Sequence, residues 1–492
     1  LFGYSFRSGY RDNSVVEKIE NIVGAEKVDE IFRGGLDFED AMSSTGWMAR
    51  YADEESVIPL YEKRQVIGHD GRVRTWSKLM VRILTEAGAD WWTEYNFSAL
   101  GRLTSARVRK AGGGEVVPDR RGPMVVFKGL EPGDVILIEG ESEETLYDGL
   151  FDGEYFDLTF LSFGAPMHHA RVEILTPPDR PINYLHHRID DNLARERFGD
   201  YDSWVWEYTD LDRMPEEDAM VDGMDGLRSI FISTMHDWSR VVDWYLKKTY
   251  RRTEPSYDVA AIADSVAGTG TDEQKIAAVY DYVTREVNYS HVNFLNSAYT
   301  PKEADLTLSS NVGDCKDVAT LMIAMLDHVG VEAWYTLVKT KAFSHQRFLP
   351  SQLFDHVIVG VEMEGERRYM DLTTNFYPHT VVPFNDCGAW SLDVRAGEDE
   401  VFELPLDHVD PAKNLVAFDV TARLDTSRAV ALDVAATHDG LEGSWIRESI
   451  GRMSKEEFRN MLLDVLGKGT FQDLRLVDYE IDNRMAMNEP LS

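Results

Sequence analysis

The chain has 492 residues, too many for one hydrophobic core, and a guide of roughly 100–200 residues per domain predicts three or four units. Its 43% apolar and 11% aromatic residues are typical of packed globular protein and exclude wholesale disorder. Acidic residues number 86 against 51 basic ones, a net charge of −35. Nucleic acid and anionic lipid are therefore excluded as expected partners, because those contacts need clustered cations.

In the first half of the chain, the spacing of apolar residues changes from a helical to a strand pattern at about residue 56. Before it, in residues 1–55, apolar residues recur at helical spacing and predict short helices. After it, segments with strand character are separated by turn signals such as the glycine triplet at 112–114. These strands are predicted at 57–66, 75–84, 91–100, 106–110, 135–140 and 170–175. So many strands at short intervals predict a β-sandwich-like domain over residues 56–185.

The rest of the chain divides into three further segments. Residues 186–250 are predicted to be a linker that ends in an amphipathic helix, since Trp238, Val241 and Tyr245 recur at helical spacing. Residues 251–400, with a helix capped by Thr271, are predicted to form a core domain. Strands at 415–424 and 429–437 and a helix at 455–466 predict a β-rich C-terminal domain over residues 401–492.

The chain has two cysteines, which excludes a disulfide-rich scaffold and leaves either one pairing or a single working thiol. No apolar run approaches the roughly 20 residues that span a bilayer, so no direct membrane insertion is expected. Because the sequence begins at Leu1, we expect it to be a mature or trimmed piece of a longer protein.

Cys315 lies where a turn runs into a predicted helix. Gly313 permits a tight or left-handed backbone, Asp314 can cap the helix, and Gly330 can end it. At a helix N-terminus the macrodipole favours a thiolate, which is the nucleophilic form of cysteine. First-turn N–H groups have no helical partner and can donate to a developing oxyanion. The pattern therefore predicts a nucleophilic Cys315.

A nucleophilic thiol needs a base, and the base needs an orienting acceptor. His356 starts a predicted strand, and Asp371 lies on the next strand after a turn centred on Gly365. In an antiparallel pair closed by that turn, the two side chains can come within hydrogen-bond reach if a bulge or twist adjusts the register. We therefore predict a triad of Cys315, His356 and Asp371.

These segments resemble the bacterial transglutaminase-like family. Members typically show a Gly-Asp-Cys-Lys-Asp helix start, an Asn-His-Ala-Ile-Val-like strand and a Trp-x-x-Asp-Pro-Thr-like strand. The corresponding residues here are 313–317, 355–359 and 369–373, with Asp355 in place of Asn and Leu372 in place of Pro. Asp355 is expected to raise the pKa of the neighbouring imidazole. The β-rich stretch at 56–185 is similar to an uncharacterised domain that commonly precedes such cores in bacterial envelope proteins.

The resemblance implies an α+β multidomain protein with a papain/transglutaminase-like core, in which a helix bearing the nucleophile packs on an antiparallel sheet bearing base and acid. It implies acyl transfer from protein or peptide amides through a cysteine thioester, and a periplasmic, secreted or cell-envelope location. No cofactor and no metal are expected, because the residues show no motif for either. Hydrolysis and transamidation stay open, because the same site does either depending on how water is excluded. The alternative is an inert core used as a scaffold, with the β-rich domains mediating binding or assembly.

Several other residues were considered for a functional role, as a rival base, a second thiol, a metal site or a phosphate site. His345 is a rival base on a polar loop, and Cys387 is interpreted as structural or incidental. The pairs His168-His169 and His186-His187 do not predict a metal site, because adjacent residues of a strand point to opposite sides. The acidic run at 215–218 lacks the spacing of a calcium loop, and the glycine triplet at 112–114 lacks the following Lys-Ser/Thr of a phosphate cradle. Four tryptophans are expected in the core: residues 204, 206, 238 and 244.

Overall fold

The computed structural model describes residues 35–492 except 44–45, 98–99, 148–149, 215–222, 291–298, 342–343, 374, 407–408, 425, 427–429, 468–473 and 488. The chain divides into two compact units, one made of residues 1–236 and 348–352 and the other of residues 237–347 and 353–492. The helices predicted before residue 35 and the acidic run at 215–218 lie outside the described residues.

The first unit is dominated by β-strands, with two short α-helices among its described residues. The helices are α1 Phe38–Ser43 and α2 Glu86–Trp91. The strands are β1 Ser56–Ile67, β2 Arg72–Ile83, β3 Glu94–Asn96, β4 Arg102–Arg109, β5 Glu115–Val116, β6 Asp119–Arg121, β7 Met124–Val126, β8 Val135–Thr145, β9 Phe156–Phe160, β10 Met167–Thr176, β11 Asn183–His187, β12 Ala194–Phe198, β13 Tyr201–Leu211 and β14 Ser229–Ser233.

The main layer of this unit is an eight-stranded sheet of order β12-β13-β10-β1-β2-β8-β4-β5. Its neighbours are antiparallel except β1 and β10, which are parallel. A three-stranded sheet, β11-β14-β9, contributes Ile230 and Ile232 to the same apolar cluster as Ile58 and Leu79 of the large sheet. Two sheets that share one core are the arrangement expected of a sandwich-like domain.

Two expectations for the first unit were wrong in detail. Residues 91–100, expected as a strand, contain the end of α2 and the short β3, because Thr85 caps a helix by accepting the Gly88 N–H at 3.2 Å. Part of the expected linker at 186–250 instead forms β12, β13 and β14. Trp204 and Trp206 alternate along β13 and are buried, so this aromatic-rich stretch belongs to the core.

The second unit combines helices with an antiparallel sheet. The helices are α3 Ser239–Thr249, α4 Tyr257–Ala267, α5 Asp272–Glu286, α6 Ala304–Ser310, α7 Cys315–His328, α8 Gly440–Arg452 and α9 Lys455–Gly467. The strands are β15 Asn288–Tyr289, β16 Val312–Gly313, β17 Ala333–Lys339, β18 His356–Met363, β19 Glu366–Met370, β20 Trp390–Asp393, β21 Phe402–Glu403, β22 Val416–Leu424 and β23 Val430–His438.

Helix α7 lies at the centre of this unit. Its residues from Lys316 to Leu326 are all buried, and it packs against β17 and β18 on one side and against α4, α5 and α6 on the others. The sheet it covers has the order β19-β18-β17-β20-β21. A helix buried all round is held by the core itself, so its first residue is fixed relative to the strands beneath it.

The C-terminal region begins with the β22–β23 hairpin and continues with α8 and α9. The predicted multidomain α+β architecture, with a β-rich N-terminal region, a helix-on-sheet core and a β-containing C-terminal region, is confirmed. Among the helices of the described residues, none is both long enough and apolar enough to cross a membrane.

Candidate active site

Cys315 is the first residue of α7, as the sequence predicts. Asp314 caps the helix in an extended conformation, and its carboxylate accepts the Asp317 N–H at 3.3 Å. The Asp317 carboxylate accepts the Asp314 N–H in return at 3.4 Å, which completes a capping box. The thiol, which is half-buried, therefore sits at the positive end of a helix that its own flanking residues hold in place.

The turn before Cys315 needs glycine for a reason other than the expected one. The left-handed residue is Asn311 (φ 51°), which ends α6, whereas Gly313 does not have a positive φ. A Cβ at position 313 would lie 2.8 Å from the Asp317 Cβ, so glycine is required for close approach. Strand β16, which contains Gly313, pairs in parallel with β15.

Asp317 is expected to contribute more to the free energy of unfolding than Gln274, which has the same position in the capping box of α5. Its buried carboxylate also accepts the Lys302 N–H at 2.8 Å and pairs with the Lys302 ammonium at 3.2 Å. Asp317→Ala should lower the free energy of unfolding by about 2–3 kcal/mol, since it leaves buried donors unpaired. Gln274→Ala, at the same position of the exposed capping box of α5, should cost about 0.5–1 kcal/mol. Urea denaturation of both variants tests this, and equal losses would contradict it.

His356 and Asp371 are brought together by the hairpin of β18 and β19. The turn residues Glu364 and Gly365 both have positive φ, 53° and 82°, which is typical of a two-residue hairpin turn. The register pairs Val359 with Met370, so Asp371 follows the last paired residue of β19. His356 is therefore a diagonal neighbour of Asp371 rather than its direct partner across the ladder.

The two side chains are in contact, with His356 Nε2 3.2 Å from Asp371 Oδ2. Asp371 is buried and also accepts the Thr373 N–H at 2.8 Å and the Thr373 hydroxyl at 3.0 Å. Burial opposes its ionisation, but the His356 charge and these hydrogen bonds outweigh burial and lower the pKa of Asp371. The acid is thus an anion that orients the imidazole.

The electrostatics of His356 favour a protonated ring. Burial alone would lower the pKa of His356, but the charge of Asp371 and hydrogen bonds with Asp371 and Cys315 raise it well above its ordinary value. Since Nε2 faces Asp371, Nδ1 is the nitrogen left for the thiol. The structure therefore places Cys315, His356 and Asp371 in one hydrogen-bonded series.

Two residues near this series were not predicted from the sequence. Tyr289, on β15, is paired with Gly313, and burial followed by the charges of Cys315 and Asp371 raises its pKa to about 12. Asp386, on the loop between β19 and β20, is buried, and its carboxyl lies within 4.8 Å of ligand-type atoms of both His356 and Asp371. Neither residue belongs to a motif, so only the fold reveals them.

The other sequence candidates have further contacts of their own. The exposed His345 contributes its backbone carbonyl to the Trp390 indole. Cys387 is buried, with its thiol directed to the Val382 carbonyl. Asp355 accepts from the N–H and hydroxyl of Thr340, at 2.8 and 2.7 Å. The carboxylate with the largest effect on the pKa of His356 is Asp371.

The paired histidines of the first unit have separate partners. His168 contacts Asp210 at 2.9 Å, and His169 contacts Glu207 at 2.6 Å. His186 lies 3.8 Å from Asp191, and His187 contacts the Asp225 carbonyl. Adjacent histidines thus point to different surroundings, as strand geometry predicts. The four tryptophans expected in the core are buried: Trp204, Trp206, Trp238 and Trp244.

A cysteine at the start of a buried helix that packs on an antiparallel sheet bearing histidine and aspartate is the arrangement expected of a transglutaminase-like core. Residues 260–365 match the family model described as the Transglutaminase-like superfamily, and residues 102–215 match that of a Domain of Unknown Function (DUF3857) with a solved structure. The chain therefore carries a transglutaminase-like domain preceded by a DUF3857 domain. The first match includes Cys315 and His356 and ends before Asp371.

A solved structure has a similar fold. A candidate protease from Parabacteroides distasonis shares 15% identity, with a TM-score of 0.52 over 76% of this chain and 78% of that chain. A candidate cysteine protease from Cytophaga hutchinsonii shares 12% identity over 74% of this chain and 90% of that chain, but its TM-score of 0.23 is too low to indicate a common fold. No curated protein matches the sequence.

Proposed function

We propose that the chain is a cysteine-dependent acyl-transfer enzyme that acts on protein or peptide amides through a thioester on Cys315. The observation that carries this proposal is the hydrogen-bonded series of Cys315, His356 and Asp371 at the start of a buried helix. A nucleophile, a base within its reach and a buried orienting anion are the parts that such chemistry needs.

In the first half-reaction the Cys315 thiolate attacks the carbonyl carbon of an amide. The C–S bond forms, the C–N bond breaks, and the amine leaves with the proton of the His356 imidazolium. The oxyanion that forms in between can accept from the Cys315 N–H, since first-turn amides have no helical partner. Asp371 keeps the ring oriented and stabilises its charge throughout.

In the second half-reaction an acceptor attacks the thioester while His356 takes its proton, and Cys315 leaves as the thiolate. Water as acceptor makes the enzyme a peptidase or amidase, and an amine makes it a transglutaminase. The triad supports both outcomes, since the acceptor is chosen by the exclusion of water rather than by these three residues. The proposed location, from the family resemblance, is the periplasm, the cell envelope or the secreted fraction.

Acyl trapping tests the proposal. The full chain is incubated with a peptide mixture, quenched in acid and mapped by mass spectrometry. An acyl adduct is expected on Cys315 and absent from the buried Cys387, and it should disappear in Cys315→Ser. Adding a primary amine then separates transamidated from hydrolysed product.

Acylation that never occurs on Cys315, or that occurs equally on Cys387, would contradict the proposal. Together with binding of the peptides by the intact chain, that result would favour the alternative of an inert core used as a scaffold.

A further inference from the structure

A third carboxyl group lies beside the two that the proposed function uses. Asp386 is 2% exposed, and potential ligand atoms of His356, Asp371 and Asp386 all lie within 4.8 Å of one another. Its backbone is fixed in a turn, where the Asp386 N–H donates to the Pro383 carbonyl at 3.0 Å and the Asp386 carbonyl accepts the Ala389 N–H at 2.9 Å. The loop therefore presents this buried carboxyl group to the site.

The surroundings of Asp386 favour the protonated form of its carboxyl group. Among the described residues, no donor reaches Asp386 Oδ2, although the atom is buried. A carboxyl oxygen of Asp371 lies within 4.8 Å of the Asp386 carboxyl group. Two carboxylates accept but cannot donate, so a hydrogen bond between them needs one to be the acid form.

The proton belongs on Asp386 rather than on Asp371. Asp371 receives three donors, the Thr373 N–H, the Thr373 hydroxyl and His356 Nε2, which stabilise its charge. Among the described residues no donor reaches Asp386 Oδ2, and burial followed by the charge of Asp371 raises the pKa of Asp386 well above its ordinary value. The same environment thus holds one carboxyl ionised and its neighbour neutral.

We propose that Asp386 is a positioning residue that, as a protonated acid, donates a hydrogen bond to Asp371 and so extends the series to Cys315–His356–Asp371–Asp386. The proposal rests on the proposed function, and it assigns Asp386 the task of fixing the Asp371 carboxylate toward His356. Asp386 acts through Asp371 and does not touch the reacting thiol.

The pH dependence follows from the groups that face Asp386. Loss of the Asp386 proton at high pH places a second anion beside Asp371, which repels it and disturbs its contact with His356. A neutral hydrogen-bond donor at position 386 cannot ionise, so it should prevent this loss of activity at high pH. The charged or titratable groups around Asp386 are Asp371, His356, Asp355, Tyr377 and the adjacent Cys387.

The test compares the same substitution at two neighbouring aspartates. An amide mimics the protonated acid, so Asp386→Asn should slow iodoacetamide alkylation of Cys315 by no more than about fivefold. Asp386→Ala, which removes the donor, should slow it by about 10–100-fold, as for other supporting hydrogen-bond partners. Asp371→Asn should slow alkylation of Cys315 at least as much as Asp386→Ala does. Acyl-transfer rates measured from pH 5 to 9 should show that Asp386→Asn keeps its activity at alkaline pH where the wild type declines, because transfer needs the proton of His356 as well as the thiolate.

The outcomes separate the alternatives. Equal damage from Asp386→Asn and Asp386→Ala would overturn the proposal, as would a folded Asp386→Ala with the rate and pH profile of the wild type. A stoichiometric metal in the purified protein that Asp386→Asn releases would also overturn it, because the cluster would then hold a cation instead of a proton.

A measurement on the wild type tests the proposal without depending on the folding of variants or on enzymatic activity. The infrared spectrum of the wild type at neutral pH should contain the band of a buried protonated carboxyl group, and its absence would overturn the assignment. Failure of the proposed function would show differently, as a Cys315 that neither forms an acyl adduct nor reacts faster than a peptide thiol while that infrared band is present.

Discussion

Replacing His356 with alanine is expected to slow iodoacetamide alkylation of Cys315 at neutral pH by about 10–100-fold, and to slow acyl transfer by about 10²–10⁴-fold. In the wild type the imidazole hydrogen-bonds the thiol and holds a proton, because the pKa of His356 is raised well above its ordinary value by Asp371 despite burial. An imidazolium beside sulfur stabilises the thiolate, and alanine removes both this charge and the proton donor for the leaving amine.

The measurement is a time course of iodoacetamide alkylation of the intact chain, quenched at intervals, with the modified site identified by peptide mapping. His345→Ala is the matched control, because His345 is exposed and lies on the loop before β18. It should change the rate by no more than about twofold. Comparable loss in the two variants, with both folded by circular dichroism, would show that His356 has no special relation to the thiol.

The nucleophile could be predicted because its signals are local. A capping aspartate, a cysteine and an apolar helix face lie within about a dozen residues, and capping depends on neighbours along the chain. The His356–Asp371 contact needed one more step, the hairpin. Its turn at Glu364 and Gly365 fixes a regular register, in which His356 and Asp371 are diagonal neighbours.

Tyr289 and Asp386 could not be predicted, because long-range packing brings them to the site. Tyr289 comes there through the short pairing of β15 with β16, and Asp386 through a loop that follows Asp371 by 15 residues. A lone tyrosine or aspartate carries no periodicity or motif. The assignment of Asp386 to the site depends on burial and on the proximity of two other side chains, and both are tertiary properties.

The fold shows the same division between local and distant signals. The β1–β2 hairpin was predictable from its alternating residues and from the turn that closes at Gly71 (φ 78°). The parallel pairing of β1 with β10 joins segments about 100 residues apart, and no local signal indicates it. Residues 201–211 carry a strand period in Trp204, Trp206 and Tyr208, but their polar neighbours made this stretch resemble a linker.

Asp371→Asn should produce the second large effect, with a characteristic dependence on pH. The amide can still accept a hydrogen bond but has no charge, so burial then dominates and the pKa of His356 falls. At neutral pH Cys315 alkylation should slow by about 10²-fold, because the neutral ring no longer stabilises the thiolate. The difference from the wild type should shrink at high pH, where the thiol ionises without help.

The same pair defines a window of pH for stability. The raised pKa of His356 contributes stability that is fully present below about pH 6.5 and lost as pH rises through the folded value. The lowered pKa of Asp371 contributes stability that is present above about pH 3.9 and lost as pH falls through the folded value. Asp371→Asn should therefore lose most stability, relative to the wild type, between about pH 4 and 6.5.

Urea denaturation from pH 3 to 10 measures this window, and Asp355→Asn is the matched control. Asp355 adjoins His356 in the sequence, but its carboxylate accepts from Thr340, so its removal should give no maximum between pH 4 and 6.5. A difference in unfolding free energy that is flat with pH for Asp371→Asn would show that no charged pair forms. A maximum common to both variants would assign the effect to the general acidity of the unit rather than to the contact of Asp371 with the imidazole.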